Sequence, residues 1–161
     1  MKPRHLLPAL LLLPLLVAGA RAETVTCPDL AQAAQVGTCP SEEELKYTFD
    51  GYCSDNARIY NWQEEQVCTD YALYRRLKNV VLWEAGNGGD FQAYLSCDLP
   101  QQRINAAKPA SIAVAIKGKL TRVVCNYGEG ITFVYRTKAR CQIDGAGNCA
   151  SGPSACQAKC D

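Results

Sequence analysis

Ten cysteines constrain this chain more than any other feature. They stand at positions 27, 39, 53, 68, 97, 125, 141, 149, 156 and 160, an even number, downstream of a segment with the form of an export signal. Met-Lys-Pro-Arg-His supplies a positive start, and Leu6 to Val17 is an apolar run interrupted only by Pro8 and Pro14. The run is too short for a comfortable membrane span, and Ala20-Arg21-Ala22 fits the small-x-small pattern of a signal-peptidase site. Residues 1–22 therefore read as a signal peptide cleaved after Ala22. The remainder is expected in the periplasm or secreted, where thiols oxidise. There the default state of Cys27, Cys39, Cys53, Cys68, Cys97, Cys125, Cys141, Cys149, Cys156 and Cys160 is five disulfides. Spacing leaves the pairing open, because ten cysteines allow about 900 connectivities. The crowded set at 141, 149, 156 and 160 is expected to pair mostly within itself and with the nearby sheet.

The single histidine, His5, lies in the signal segment. Zinc sites need thiolates or imidazoles at C-x2-C or H-x3-H spacing, and the closest cysteine pair here is Cys156 and Cys160. No metal and no cofactor are expected. Serine or cysteine nucleophiles usually depend on an imidazole base, so triad chemistry is excluded as well. Hydrolysis through paired carboxylates stays open, although no two acids stand out as a pair.

Removing 22 of 161 residues leaves 139, a single domain able to bury roughly two-thirds of its unfolded surface. Pro28 and Gly37 frame a predicted short helix over Leu30 to Gln35. Ser41-Glu42-Glu43-Glu44 has the form of a capping box opening a second helix that stops at Asp50-Gly51. Residues 55 to 78, placed at 100° each, put Ile59, Tyr60, Val67, Tyr71, Leu73, Tyr74 and Leu77 on one side of a third helix. Asp70 falls in the middle of that apolar face. It is predicted to be buried or half-buried against an arginine of the following sheet, the alternative being a functional carboxylate in a cleft.

From Val80 the period changes to two. Val80 to Glu84, the Gly86-Asn87-Gly88-Gly89 turn and inward Phe91, Ala93, Leu95 and Cys97 read as a hairpin. A polar loop with Lys108-Pro109 leads to strands over Ser111 to Ile116, Leu120 to Tyr127 and Ile131 to Arg136. The predicted fold is a disulfide-rich α+β domain over residues 23–141, with N-terminal helices packed on a roughly five-stranded antiparallel β-meander. Residues 142–161, nearly devoid of large apolar side chains, are read as a Cys-rich extension bridged to that domain.

Charge is divided along the chain. Residues 23–70 carry ten acids and two bases, whereas residues 71–140 carry eleven bases and four acids. Either the halves neutralise one another across their contact, or one pole faces a charged partner. A nearly neutral chain without a recognisable module is not expected to bind nucleic acid, and no stable membrane insertion is expected after cleavage. What remains is a protein-binding inhibitor or immunity-type protein that occludes a partner enzyme or toxin. The candidate partner-facing residues are the acidic Glu42, Glu43, Glu44, Glu64, Glu65 and Asp70, with Asn87 and Asp90 of the Gly86–Asp90 turn. The alternatives are a secreted effector acting outside the producing cell and a small carboxylate-dependent hydrolase.

Overall fold

Alternation of apolar side chains from Val80 onward produces the main sheet. The computed structural model describes residues 22–54, 65–152 and 155–161. The signal segment and the first half of the predicted 55–78 helix, with Ile59, Tyr60 and Glu64, lie outside the described residues. In chain order the elements are β1 (Glu23–Thr26), β2 (Ala34–Gln35), α1 (Glu42–Cys53), α2 (Glu65–Thr69) and α3 (Tyr71–Lys78). They continue with β3 (Val80–Ala85), β4 (Phe91–Ser96), α4 (Gln101–Ala106), β5 (Ser111–Lys117), β6 (Leu120–Gly128) and β7 (Ile131–Thr137). Two further strands, β8 (Cys141–Asp144) and β9 (Gln157–Cys160), close the chain. The α+β class is as expected, but the strands exceed five and form two antiparallel sheets, β2-β3-β4-β7-β6-β5 and β1-β9-β8.

The β3–β4 hairpin forms in the expected register, Val81 opposite Leu95 and Trp83 opposite Ala93. β5, β6 and β7 also follow one another as predicted. The order is nevertheless not a simple meander, because β4 pairs with β7 through Phe91↔Tyr135 and Gln92↔Val134 rather than with β5. The expected polar loop after Pro100 contains α4, whose Ile104 is fully buried near the Leu30 turn. That helix carries the chain to the far edge of the sheet. Six residues with one buried side chain leave no periodic signal in a sequence window.

The predicted helix over Leu30 to Gln35 is corrected. A 3-10 turn over Leu30–Gln32 is capped by Asp29, which accepts from the Ala31 N–H at 2.9 Å. The chain is extended by Ala33, and Ala34 and Gln35 pair with Glu84 and Trp83. Alanine's helix preference, a few tenths of a kcal/mol per residue, is outweighed by pairing on a sheet edge. The capping box is present: Ser41 Oγ accepts from the Glu44 N–H at 3.1 Å, and the Glu44 carboxylate accepts from the Ser41 N–H at 2.7 Å. α1 runs on through Asp50-Gly51 to Cys53, where the Cys53–Cys68 bridge joins it to α2.

The segment 142–161 is more than a bridged loop. β9 lies between β1 and β8, and Cys141–Cys160 and Cys149–Cys156 pair within the crowded set, as expected. Cys149, Cys156, Ala158 and Cys160 enter the same core cluster as Val25, Leu30, Leu95, Ile104 and Phe133. Cys27–Cys125 ties the end of β1 to the middle of β6, and Cys39–Cys97 ties the chain before α1 to the end of β4. Among the described residues, no helix is long and apolar enough to cross a membrane.

Candidate functional site

Asp70 does not meet an arginine of the sheet. It interrupts the helix, adopting extended φ −130° and ψ 100°, and its exposed carboxylate accepts from the N–H groups of Ala72 at 2.9 Å and Leu73 at 3.3 Å. The residue is the N-cap of α3. Treating 55 to 78 as one helix turned it inward; the break rotates everything after it. Beyond the break, Tyr71 and Tyr74 meet Phe49 of α1 edge-on, with ring centroids 5.3 Å and 5.1 Å apart.

The arginine that serves as a hub is Arg75 of α3. Its guanidinium lies 3.0 Å from Glu42 and 2.9 Å from Asp98, and the Asn79 amide also donates to Asp98 at 3.1 Å. The Arg75 hydrogen bond holds the Asp98 carboxyl below its ordinary range. Glu42 is held low first by the Tyr71 hydroxyl, which donates at 2.7 Å, and then by Arg75. Ser41 lowers Glu44 in the same way through its backbone and hydroxyl. Glu42 and Glu44 are thus engaged in holding α1. Glu43 is exposed, Glu65 opens α2, and Glu64 lies outside the described residues. The contacts Arg75–Glu42 and Lys108–Asp29, the latter at 3.2 Å, neutralise part of the charge division within the molecule.

Asn87 and Asp90 are brought to a cleft of about 560 Å³. One wall is β1 with Cys27, Pro28 and Asp29; the other holds Asn87, Asp90, Phe91 and Tyr135. Asp29 is engaged with the Ala31 N–H and Lys108. The Tyr135 hydroxyl is pushed up by burial and then by the nearby Glu23 and Asp90 carboxylates. At the far end the Tyr127 hydroxyl donates to the Pro28 carbonyl at 2.6 Å, which fixes that corner. The sequence pointed to the turn residues, but nothing in it linked them to Glu23 or Tyr135. Among the described residues, no group of three or more His, Cys, Asp or Glu is placed to hold a metal ion.

A second feature is the β5–β6 hairpin. Lys117 pairs with Leu120 across a two-residue loop in which Gly118 has φ +63°, the conformation a type II′ turn asks of its first residue. Ile116 is 76% exposed and Leu120 39% exposed at this tip. Lys117, Lys119 and Arg122 make no ion pair among the described residues. β5 is an edge strand. Near its start the Ile112 N–H donates to the Gly147 carbonyl at 2.9 Å, and Ser111 bridges Asn148. The alternation Ile112, Val114, Ile116 was visible in the sequence, but not that its last member lies beyond the core.

The fold and its bridges define a disulfide-stapled α+β domain suited to an oxidising compartment. No family model, curated protein or solved structure matches the chain.

Proposed function

We propose that this is a periplasmic or secreted protein-binding inhibitor, and that the β5–β6 hairpin is the element that enters the partner's cleft. The observation that carries the reading is the exposure of Ile116 and Leu120 on either side of Lys117 and Lys119 at the tip of a paired hairpin. Burying Ile116 in a partner gains roughly 1.5–3 kcal/mol, and Leu120, already more than half covered, adds a fraction of that. The hairpin is already ordered: seven residue pairs join β5 to β6, and the Cys27–Cys125 bridge anchors β6 from beneath. Little conformational freedom is then lost on binding, which is the advantage of a stiff plug.

Two lysines with no ion pair among the described residues select a partner whose cleft is acidic. Enzymes that work through paired carboxylates have such clefts. The test is affinity capture from envelope and culture fractions with the oxidised protein, followed by assay of the captured enzyme. One-to-one inhibition that is lost in Lys117→Glu/Lys119→Glu and in Ile116→Ser is the expected result. Full inhibition by both variants would refute the hairpin as the plug, and an enzyme that binds without losing activity would refute inhibition.

A further inference from the structure

The cleft beside β1 is independent of the hairpin and has its own chemistry. Successive side chains of a strand point to opposite faces, yet Glu23, Thr24, Val25 and Thr26 all border the cleft. A cavity that touches four consecutive residues meets the strand along its edge, not on one face. β1 is the outermost strand of its sheet, paired with β9 on one side only. In an antiparallel strand alternate residues turn their N–H and C=O away from the partner strand, so two of the four β1 residues offer free main-chain groups along this edge.

The opposite wall completes a slot. Phe91 is buried at its floor, while the Tyr135 ring and the Gly86–Asp90 turn rise beside it. Gly86 has φ +85°, and a Cβ there would stand 3.2 Å from the Phe91 ring, so the turn is seated closely on the floor. Both walls are fixed. Cys141–Cys160 locks β9 against β8, and the Cys27 N–H donates to the Cys156 carbonyl at 3.0 Å. The volume of about 560 Å³ lies within the range of clefts that hold a drug-sized ligand.

The charge of the slot is acidic. Asp29 already has Lys108, whereas Glu23 has only the Tyr135 hydroxyl beside it and Asp90 no cation, neither acid making an ion pair among the described residues. A segment that satisfies them carries Lys or Arg on alternate residues, and a segment that satisfies the β1 edge is extended. We propose that the cleft binds an extended, basic peptide segment of a partner protein, which adds as a fourth strand to the β1-β9-β8 sheet. Main-chain hydrogen bonds to β1 supply affinity, and Glu23 and Asp90 choose the cationic side chains. The site accounts for Asn87 and Asp90 at the cleft mouth, which the basic hairpin tip leaves unexplained.

The test uses the protein as exported and oxidised, and a labelled, end-blocked hexapeptide alternating lysine and valine, titrated by fluorescence anisotropy. Controls are the glutamate–valine counterpart, a version with proline in place of the central valine, and spermidine as a competitor without a backbone. The lysine peptide is expected to bind at least tenfold more tightly than either control peptide. Glu23→Gln/Asp90→Asn should weaken it by tenfold or more at an unchanged melting temperature, and Glu23→Gln alone, at an exposed strand end, by about threefold. Lys117→Glu/Lys119→Glu should leave it unaltered, which separates this site from the inhibitory hairpin. Equal binding of the proline peptide would overturn strand addition, because proline removes the needed N–H. Displacement by equimolar spermidine, indifference to the Glu23 and Asp90 changes, or no binding at millimolar peptide would overturn the site itself.

Discussion

Replacing Asp70 distinguishes a helix cap from a buried ion pair. Its carboxylate has two backbone donors, a good one at 2.9 Å from Ala72 and a longer one at 3.3 Å from Leu73. Removing an N-cap acceptor typically costs about 1 kcal/mol, within 0.5–2. The loss matters here because α3 has only eight residues and positions both buried Tyr74 and Arg75. Asp70→Ala is therefore expected to cost about 1 kcal/mol. Asp70→Asn keeps the acceptor and loses only the favourable charge at the helix start, about 0.3–0.5 kcal/mol, which salt screens. For a domain of this size 1 kcal/mol corresponds to roughly 3–5 °C in Tm. Calorimetry at pH 7 should then rank wild type, Asn and Ala in descending order. Added salt should close the gap between wild type and Asn while leaving the gap to Ala. If Asp70→Asn costs 2 kcal/mol or more and matches Ala, the carboxylate is a buried, charge-paired group and the cap reasoning fails.

The carboxyls of Glu42, Asp98 and Asp29 are all held low in the folded protein. Depressed folded values stabilise fully above the unfolded values near 4 and lose that contribution as pH falls through the folded ones. Melting temperature should be level from about pH 7 to 5 and drop below about 4, less steeply in Arg75→Gln; an identical acid slope in that variant refutes the hub. Gly88 and Gly89 both have positive φ, but a Cβ on Gly89 would lie 2.7 Å from Glu84 Oε2, whereas one on Gly88 meets nothing. In urea unfolding, Gly88→Ala and Gly89→Ala should each cost about 1 kcal/mol from the positive φ, because the Glu84 carboxylate can swing aside from the added methyl, and a clearly larger cost at Gly89 would show that Gln92 holds Glu84 in place. Tyr127→Phe removes a buried bond to the Pro28 carbonyl and should cost about 1–2 kcal/mol by thermal melt, with a cost below 0.3 showing that the carbonyl finds another donor.

Local chemistry was readable from adjacent residues. The Ser41 capping box, the β3–β4 hairpin around its glycines, and the strands on either side of the Gly118 and Gly128–Gly130 turns follow from side-chain period and turn preference, which act over a few residues. The even cysteine count likewise announced complete pairing. Asp70 shows where this reading stops, since a wheel drawn through 55–78 assumed continuity that its own capping carboxylate breaks. The strand order, with β4 beside β7, depended on α4, whose single buried side chain carries no pattern. The cleft depended on tertiary structure entirely: Glu23, Asp90 and Tyr135 are far apart in the chain and meet where β1, paired with β9 and bridged to β6 through Cys27–Cys125, lies beside the main sheet. Period, caps and cysteine number determine which elements form and that they are bridged. Which strands become neighbours, and so which carboxylates share a cleft, is decided by burial of side chains contributed from the whole chain, a free energy that no short stretch of sequence holds.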